Sequence, residues 1–348
     1  MDIKRVILIG LLISSQFLDG KSLSFQHHDW QVVCDNAHTC RIAGYSSDNA
    51  KYSVSVLITR EAGARKKMRG EIQLGHYGEA DEKLLKKFPS IFKLQMFIDE
   101  KSYGFISMKK GELIASLSEK QTKALVTSLS KSSKIVWKYK KYHWELSDEG
   151  STAVLLKTDT FQKRLNTRNA FYKKGTHSEK NVLKAKAIPV IYVQPVVDDK
   201  EIIIKDKAYI EKLRGELYVK DEYCFDSEYE ENFTFYPLSS SKILVSRLAW
   251  RAAYNSGYCS WVANRKEPFN SKLIAEGDYY VNEKKIGSVS NSQKGRGLGD
   301  CWSYEAYVWT GKTFEQSSVG SSGLCRLIAP GGAWDLPTFV SKLKLRIK

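Results

Sequence analysis

The cysteine pattern limits the possible folds of this chain more than any other feature of its sequence. The 348 residues contain six cysteines, at positions 34, 40, 224, 259, 301 and 325. In an exported protein, an even set of this kind indicates a disulfide framework. Of the 15 possible pairings, sequence proximity favours those between chain neighbours: Cys34–Cys40, Cys224–Cys259 and Cys301–Cys325. A zinc site is disfavoured, because Cys34 and Cys40 have no second cysteine or histidine pair nearby apart from His38.

The amino-terminal segment predicts export. Residues 1–5 are basic, and residues 6–13 form an apolar run that is too short to span a membrane. Small residues follow, so we expect a signal peptide over residues 1–24 that is cleaved after Gly20, Ser22 or Ser24. We see no other apolar run long enough for a membrane span, and we expect a periplasmic or secreted protein.

Residues 294–325 read as a braced hairpin. Alternating residues over 302–309 predict a strand, Thr310 and Gly311 predict a turn, and residues 312–316 can pair back. A disulfide between Cys301 and Cys325 would stabilise this unit by about 3.5 kcal/mol on the loop-entropy model.

Three segments of the sequence carry a resemblance to one protein family. The first is KGRGLGDCW (294–302), followed by YVWTGKTF, LCR and GGAW (331–334). The second is HHDWQVVCDNAHTCRIAGY (27–45), whose W-x-x-x-C opening is also similar to invasion-associated locus B proteins. The third is WELSDEGSTAVLLKTDTFQKRLNTRNAFYKKG (144–175). All three segments are similar to those of DUF1176, a family of secreted bacterial proteins of unknown function. This resemblance implies an exported, disulfide-containing protein and carries no activity.

The sequence departs from the family pattern near residues 252–255 (AAYN). In the family a cysteine often lies just before a G-A-Y-N motif, whereas Leu248, Ala249 and Trp250 occupy that place here. Cys259 lies after the motif instead. The pairing of Cys259 with Cys224 therefore stays open at this point.

The patterns predict an α+β fold of mostly antiparallel strands in two β-rich domains. Residues 25–175 would form the first, with helices near 118–130 and 148–165 on its sheet. Ser118 and Gln121 make a capping box for the first helix, and Ser147 is the expected start of the second. Residues 176–200 read as a linker, and residues 201–348 as a disulfide-braced antiparallel domain.

Two groups of residues are candidate binding sites. Asp159, Gln162 and Arg164 lie within two turns of the second predicted helix and form a polar cluster. The alternative is a solvated or domain-facing helix side with an Asp159–Lys163 pair. The Gly-rich stretch gives a candidate anion-binding nest at Lys294, Arg296, Gly297 and Gly299, for which simple turn-making is the alternative.

We predict no catalytic residues, no cofactor and no resident metal. If the signal peptide is cleaved after Ser24, His27 would be the third residue, and the free amine with His27 could bind Cu(II). An exposed histidine is the alternative. The acidic stretch 221–231 lacks the residue order of a calcium loop.

Net charge indicates the class of partner. The chain carries +16 at pH 7, which favours contact with an anionic polymer or an acidic protein, although solubility alone can explain it. Nucleic acid is disfavoured, since no basic arm or nucleic-acid motif is present.

We predict a non-enzymatic binding protein of the bacterial envelope, whose ligand is an anionic polymer or a protein. One alternative is an inhibitor or immunity factor for a cell-wall hydrolase or toxin, acting through a protruding loop such as 34–40 or 294–301. The other is an enzyme of unknown class that uses Asp159 or the acids of 221–231.

Overall fold

The computed structural model describes residues 22–225 and 232–346. Within them the helices are α1 (Glu79–Leu85), α2 (Glu119–Ser128), α3 (Ser151–Phe161) and α4 (Lys207–Lys220). The first half of the chain supplies β1 (Leu23–His27), β2 (Trp30–Cys34), β3 (Cys40–Tyr45), β4 (Val54–Arg60), β5 (Met68–Leu74), β6 (Ile91–Ile98), β7 (Lys101–Lys109), β8 (Ile114–Leu117), β9 (Ile135–Tyr139) and β10 (Tyr142–Leu146). The second half supplies β11 (Val190–Val193), β12 (Thr234–Pro237), β13 (Lys242–Arg251), β14 (Ser256–Asn264), β15 (Lys272–Glu276), β16 (Asp278–Val281), β17 (Gly287–Lys294), β18 (Trp302–Trp309), β19 (Phe314–Ser321), β20 (Leu336–Val340) and β21 (Lys342–Leu345). The predicted signal peptide lies almost entirely outside the described residues.

Two antiparallel sheets form the first half. One has the order β1-β2-β3-β4-β5-β8 and the other β10-β9-β6-β7. Apolar side chains of β2, β3 and β4 face those of β6 and β9, and the core between them buries Trp30, Trp137 and Trp144. Strands that bury one face in this way alternate apolar and polar residues, as β6 does.

Local signals place α2, whereas a long-range contact places α3. The capping box of Ser118 and Gln121 is present, so α2 begins where the sequence predicts. Helix α3 begins later than predicted, after Gly150 rather than at Ser147. Gly150 has φ 92°, and a Cβ on it would lie 1.9 Å from the carbonyl oxygen of His27. Only glycine fits there, and it sets the start of the helix.

The second half contains two larger antiparallel sheets and one small parallel pair. The orders are β12-β13-β14-β15 and β16-β17-β18-β19-β20, and β11 pairs in parallel with β21. The predicted hairpin is present as β18 and β19. Helix α4 covers a core built around Trp261. The predicted α+β class with mostly antiparallel strands is therefore confirmed.

All six cysteines are described, and each forms a disulfide with its chain neighbour. The bonds join Cys34 to Cys40, Cys224 to Cys259 and Cys301 to Cys325. The pairs at 34–40 and 224–259 are fully buried, whereas Cys325 is partly exposed.

The 34–40 loop does not protrude, so the expectation that it could act as an inhibitory loop is wrong. Asp35, Ala37 and His38 are all buried. The backbone N–H of Asn36 donates to the Thr338 carbonyl at 3.1 Å. The His38 Nδ1 atom lies 2.8 Å from the Lys184 carbonyl oxygen. Segments from distant parts of the chain cover the loop.

The two halves share a hydrophobic cluster. Val33, Tyr45 and Leu57 of the first sheet contact Trp334 and Leu336. The indole N–H of Trp334 donates to the Ser55 hydroxyl at 2.7 Å. The domain limits predicted from sequence stay a prediction. In the part of the chain that the structure describes, no helix has the length and apolarity for a membrane crossing.

Candidate functional site

The predicted polar cluster is buried and has a fourth member, Arg60. Asp159 lies at the end of α3 with no exposed surface, and its Oδ1 accepts a hydrogen bond from Arg60 Nη2 at 3.0 Å. The same oxygen accepts from the Phe171 amide, and Oδ2 accepts from the Tyr172 amide, each at 2.9 Å. Asp159 is fully buried and its carboxylate pairs with Arg60. The helix side is therefore not solvated, and the expected Asp159–Lys163 pair is wrong.

Gln162 and Arg164 complete the network. Gln162 Oε1 accepts from Arg60 Nε at 2.8 Å and from Arg164 Nε at 3.2 Å, and its amide donates to the carbonyl oxygens of His38 and Arg60. Arg164 Nη1 lies 2.8 Å from Glu179 Oε1. The polar atoms of these side chains are largely satisfied by protein groups, as a stable buried network requires.

Burial sets the electrostatics of this network. It lowers the pKa of Arg60 and of Arg164, and the nearby carboxylates of Asp159 and Glu179 oppose that shift. Burial alone would raise the pKa of Glu179, but the Arg65 amide N–H, Asn169 and Arg164 together lower it. Two arginines and two carboxylates thus balance one another. The network offers no free acid or base, and it fixes the segment that follows α3.

That segment forms one wall of a cleft, which we call the basic cleft. Its volume is about 340 Å³. Its walls come from the β4–β5 loop, from α2 and from residues 168–174. The lining side chains include seven cationic groups and one carboxylate of the described residues: Arg60, Arg65, Lys66, Lys67, Lys123, Arg168, Lys174 and Glu119. Arg60 lies at the inner wall, where its guanidinium stacks 3.4 Å from the centroid of the Phe171 ring.

The cations of the basic cleft differ in how far their charge is matched. Glu119 accepts from Lys123 at 2.8 Å and from Lys67 at 3.1 Å, and these hydrogen bonds lower the pKa of Glu119. Lys66 pairs with Glu61. The side chains of Arg65, Arg168 and Lys174, by contrast, have no carboxylate within 4.0 Å among the described residues. The cleft therefore carries excess positive charge.

In the Gly-rich loop, the predicted anion-binding cation Arg296 is paired with a carboxylate of the loop itself. Arg296 donates to both carboxylate oxygens of Asp300, which is buried. Lys294 lies over the Trp302 ring at 5.4 Å, and Gly297 lies beside Tyr254. Anion binding by Arg296, Gly297, Gly299 and Lys294 stays a prediction, although the Arg296 charge is already matched within the loop.

No open metal centre appears among the described residues. Asp300, Cys301 and Cys325 lie close together, but the two sulfur atoms are bonded to each other in the disulfide and are not thiolate ligands. His27 is exposed on β1. Phe25, whose amine the copper prediction needs, is an internal residue of the same strand in the uncleaved chain, so copper binding stays a prediction. Asp221 accepts from the Trp261 indole N–H at 2.8 Å, and most of the 221–231 acids lie outside the described residues.

Sequence reasoning found the polar cluster and missed the cleft beside it. The run of basic residues after Arg60 was a visible signal. The cleft also needs Arg168 and Lys174, which lie about a hundred residues further along the chain. These two residues lie beside the basic run because the Asp159 network fixes the segment that carries them.

A family model described as protein of unknown function (DUF1176) matches residues 24–341. No curated protein and no solved structure matches the chain.

Proposed function

The chain belongs to the DUF1176 family, and we propose that it is an exported, non-enzymatic binding protein of the bacterial envelope that holds an anionic polymer in the basic cleft. The observation that carries this proposal is the charge of the cleft, in which seven cationic side chains accompany one carboxylate. A concave surface lined by one sign of charge concentrates ligands of the opposite sign.

A polymer fits the basic cleft better than a single small anion. The cleft has seven cationic groups, which are more than the few oxygens of one compact anion such as phosphate can contact at once. A chain of repeated negative charges can contact each in turn and release the counterions they hold. The charge pattern does not require a specific monomer.

The buried network supports binding rather than catalysis. Asp159, the acid behind the cleft, accepts hydrogen bonds from Arg60, Phe171 and Tyr172. A general acid or base needs access to the substrate and a transferable proton. Asp159 is fully buried and serves instead to hold the 168–174 wall.

Charge reversal in the cleft tests the proposed function. We expect the double variant Arg168→Glu, Lys174→Glu to raise the Kd for long-chain inorganic polyphosphate by at least about tenfold, or about 1.4 kcal/mol. The matched control is Lys93→Glu, Lys312→Glu, which changes the net charge equally at exposed positions outside the cleft. The measurement is fluorescence anisotropy with labelled polyphosphate. Equal weakening by both variants, or an unchanged Kd in the cleft variant, contradicts the proposal.

Glu119 gives a prediction in the opposite direction. Because its carboxylate occupies Lys67 and Lys123, it competes with a bound anion for both. We therefore expect Glu119→Gln to tighten polyphosphate binding. The gain should be only about threefold to tenfold, because surface ion pairs of this kind are weak. The control is Glu112→Gln, because Glu112 pairs with Lys109 outside the cleft. This control variant is expected to change polyphosphate binding less. Weaker binding by the Glu119 variant would argue against a ligand at this end of the cleft.

An inhibitor or immunity factor remains the second candidate, because of the 294–301 loop. Leu298 is 54% exposed at its tip. The loop beneath is held by the Arg296–Asp300 ion pair, by two hydrogen bonds between Asn255 and the Lys294 backbone, and by the disulfide. A rigid loop loses little entropy on binding. A salt-tolerant one-to-one complex that Leu298→Asp abolishes would favour this function.

A further inference from the structure

A second cavity lies at the tip of the β9–β10 hairpin, and we call it the aromatic slot. Its volume is about 270 Å³. Three aromatic and three basic side chains line it: Phe88, Tyr139, Tyr142, Lys87, Lys140 and Lys141. The slot shares no lining residue with the basic cleft, so a ligand of the slot does not depend on whether the cleft binds a polymer.

The aromatic walls are fixed by the hairpin and by the core behind it. Tyr139 and Tyr142 face each other across the hairpin as a directly paired couple. The buried Phe88 lies between them, with ring centroids 4.9 Å from Tyr139 and 5.3 Å from Tyr142. Tyr142 also contacts Tyr52 at 5.8 Å. These rings therefore form a preorganised apolar surface.

The rim of the slot is basic. The Lys140 ammonium lies 5.4 Å from the Tyr139 ring centroid, and the Lys141 ammonium lies 5.7 Å from that of Tyr142. Within residues 22–225 and 232–346, neither lysine nor Lys87 has a carboxylate within 4.0 Å, and no carboxylate lines the slot. A bound anion would find three cations without displacing an acid.

We infer that the aromatic slot binds one sugar ring that carries a carboxylate or phosphate group. The slot volume lies just below the usual range for small-molecule sites, which suits one ring-sized unit. Aromatic faces contact the C–H surface of the sugar, lysines contact its charge, and the phenol hydroxyls of Tyr139 and Tyr142 are available for its hydroxyl groups. Neither hydroxyl has a hydrogen-bond partner in the described structure.

The ring geometry favours a sugar over a flat base. Phe88 makes interplanar angles of 61° with Tyr139 and 48° with Tyr142. A planar nucleobase can lie flat against only one of two tilted rings, whereas a puckered ring with hydrogens on both sides can contact both. The ligand class is thus an acidic or phosphorylated monosaccharide unit, free or within a glycan.

Matched pairs of monosaccharides test this inference by NMR titration of the full chain. The probes are D-galacturonate against D-galactose, D-glucose 6-phosphate against D-glucose, and adenosine 5′-monophosphate as the planar alternative. We expect saturable binding of both acidic sugars at least about fivefold tighter than that of their neutral partners, which corresponds to about 1 kcal/mol. Nucleotide binding tighter than that of glucose 6-phosphate, or no preference for the acidic sugars, would overturn it.

Two variants assign the binding to the slot. Lys140→Gln, Lys141→Gln changes exposed residues only and should remove most of the preference for the acidic sugar. Tyr142→Ala should weaken both members of each pair. The matched control is Lys101→Gln with Tyr103→Ala, another lysine–tyrosine pair on a hairpin of the same sheet. If Tyr142→Ala fails to fold, the Lys140→Gln, Lys141→Gln variant alone tests the assignment. An unchanged preference for acidic sugars in that variant overturns the assignment of binding to the slot.

Discussion

Replacing Asp159 with alanine is expected to lower the free energy of unfolding by about 3–5 kcal/mol, because it leaves a buried guanidinium without its counter-charge. The Arg60 side chain is only 3% exposed, and that of Asp159 is fully buried. The change also removes the acceptor for the Phe171 and Tyr172 amides. Urea denaturation of the purified protein measures the loss.

A second variant distinguishes two causes of the lost stability: the unpaired charge of Arg60 and the simple loss of packing. Replacing both partners, Asp159→Ala with Arg60→Met, removes the stranded charge, so we expect the double variant to be more stable than Asp159→Ala alone. The single variant should also bind polyphosphate more weakly, since Asp159 holds the 168–174 wall of the basic cleft. A double variant less stable than the single one, or a loss below about 1 kcal/mol in the single variant, would show that this ion pair does not support the fold.

The predictable parts of this fold depend on residues close in sequence. The capping box spans Ser118 to Gln121 and places α2, and Thr310 with Gly311 places the β18–β19 turn. Cys34 and Cys40 are six positions apart and bond to each other. In each case the interacting groups meet through local backbone geometry, which turn and capping rules describe well.

The parts that sequence reasoning missed depend on distant contacts. Asp159 binds Arg60, 99 positions away, and no local rule connects them. The 34–40 loop has the turn chemistry of a surface loop, yet segments near Lys184 and Thr338 bury it. The aromatic slot likewise needs Phe88 beside Tyr142. Such sites follow from strand order, which the polar and aromatic patterns of single segments do not specify.

Binding of an anionic polymer to the basic cleft should depend strongly on salt. Arg65, Arg168 and Lys174 are free of carboxylate partners in the described structure, and Lys66, Lys67 and Lys123 can exchange theirs for a ligand anion. For three to six contacts, counterion release predicts a log–log slope between about −2 and −4. A rise from 50 to 200 mM salt would then weaken binding by about 15-fold to about 250-fold.

A polyphosphate titration of the unmodified protein across that salt range therefore tests whether this chain binds polyanions through the basic cleft. We expect saturable binding with a slope between about −2 and −4, reduced in magnitude by about 1–2 in Arg168→Glu, Lys174→Glu. Binding that does not respond to salt, or a slope that the cleft variant leaves unchanged, would contradict it.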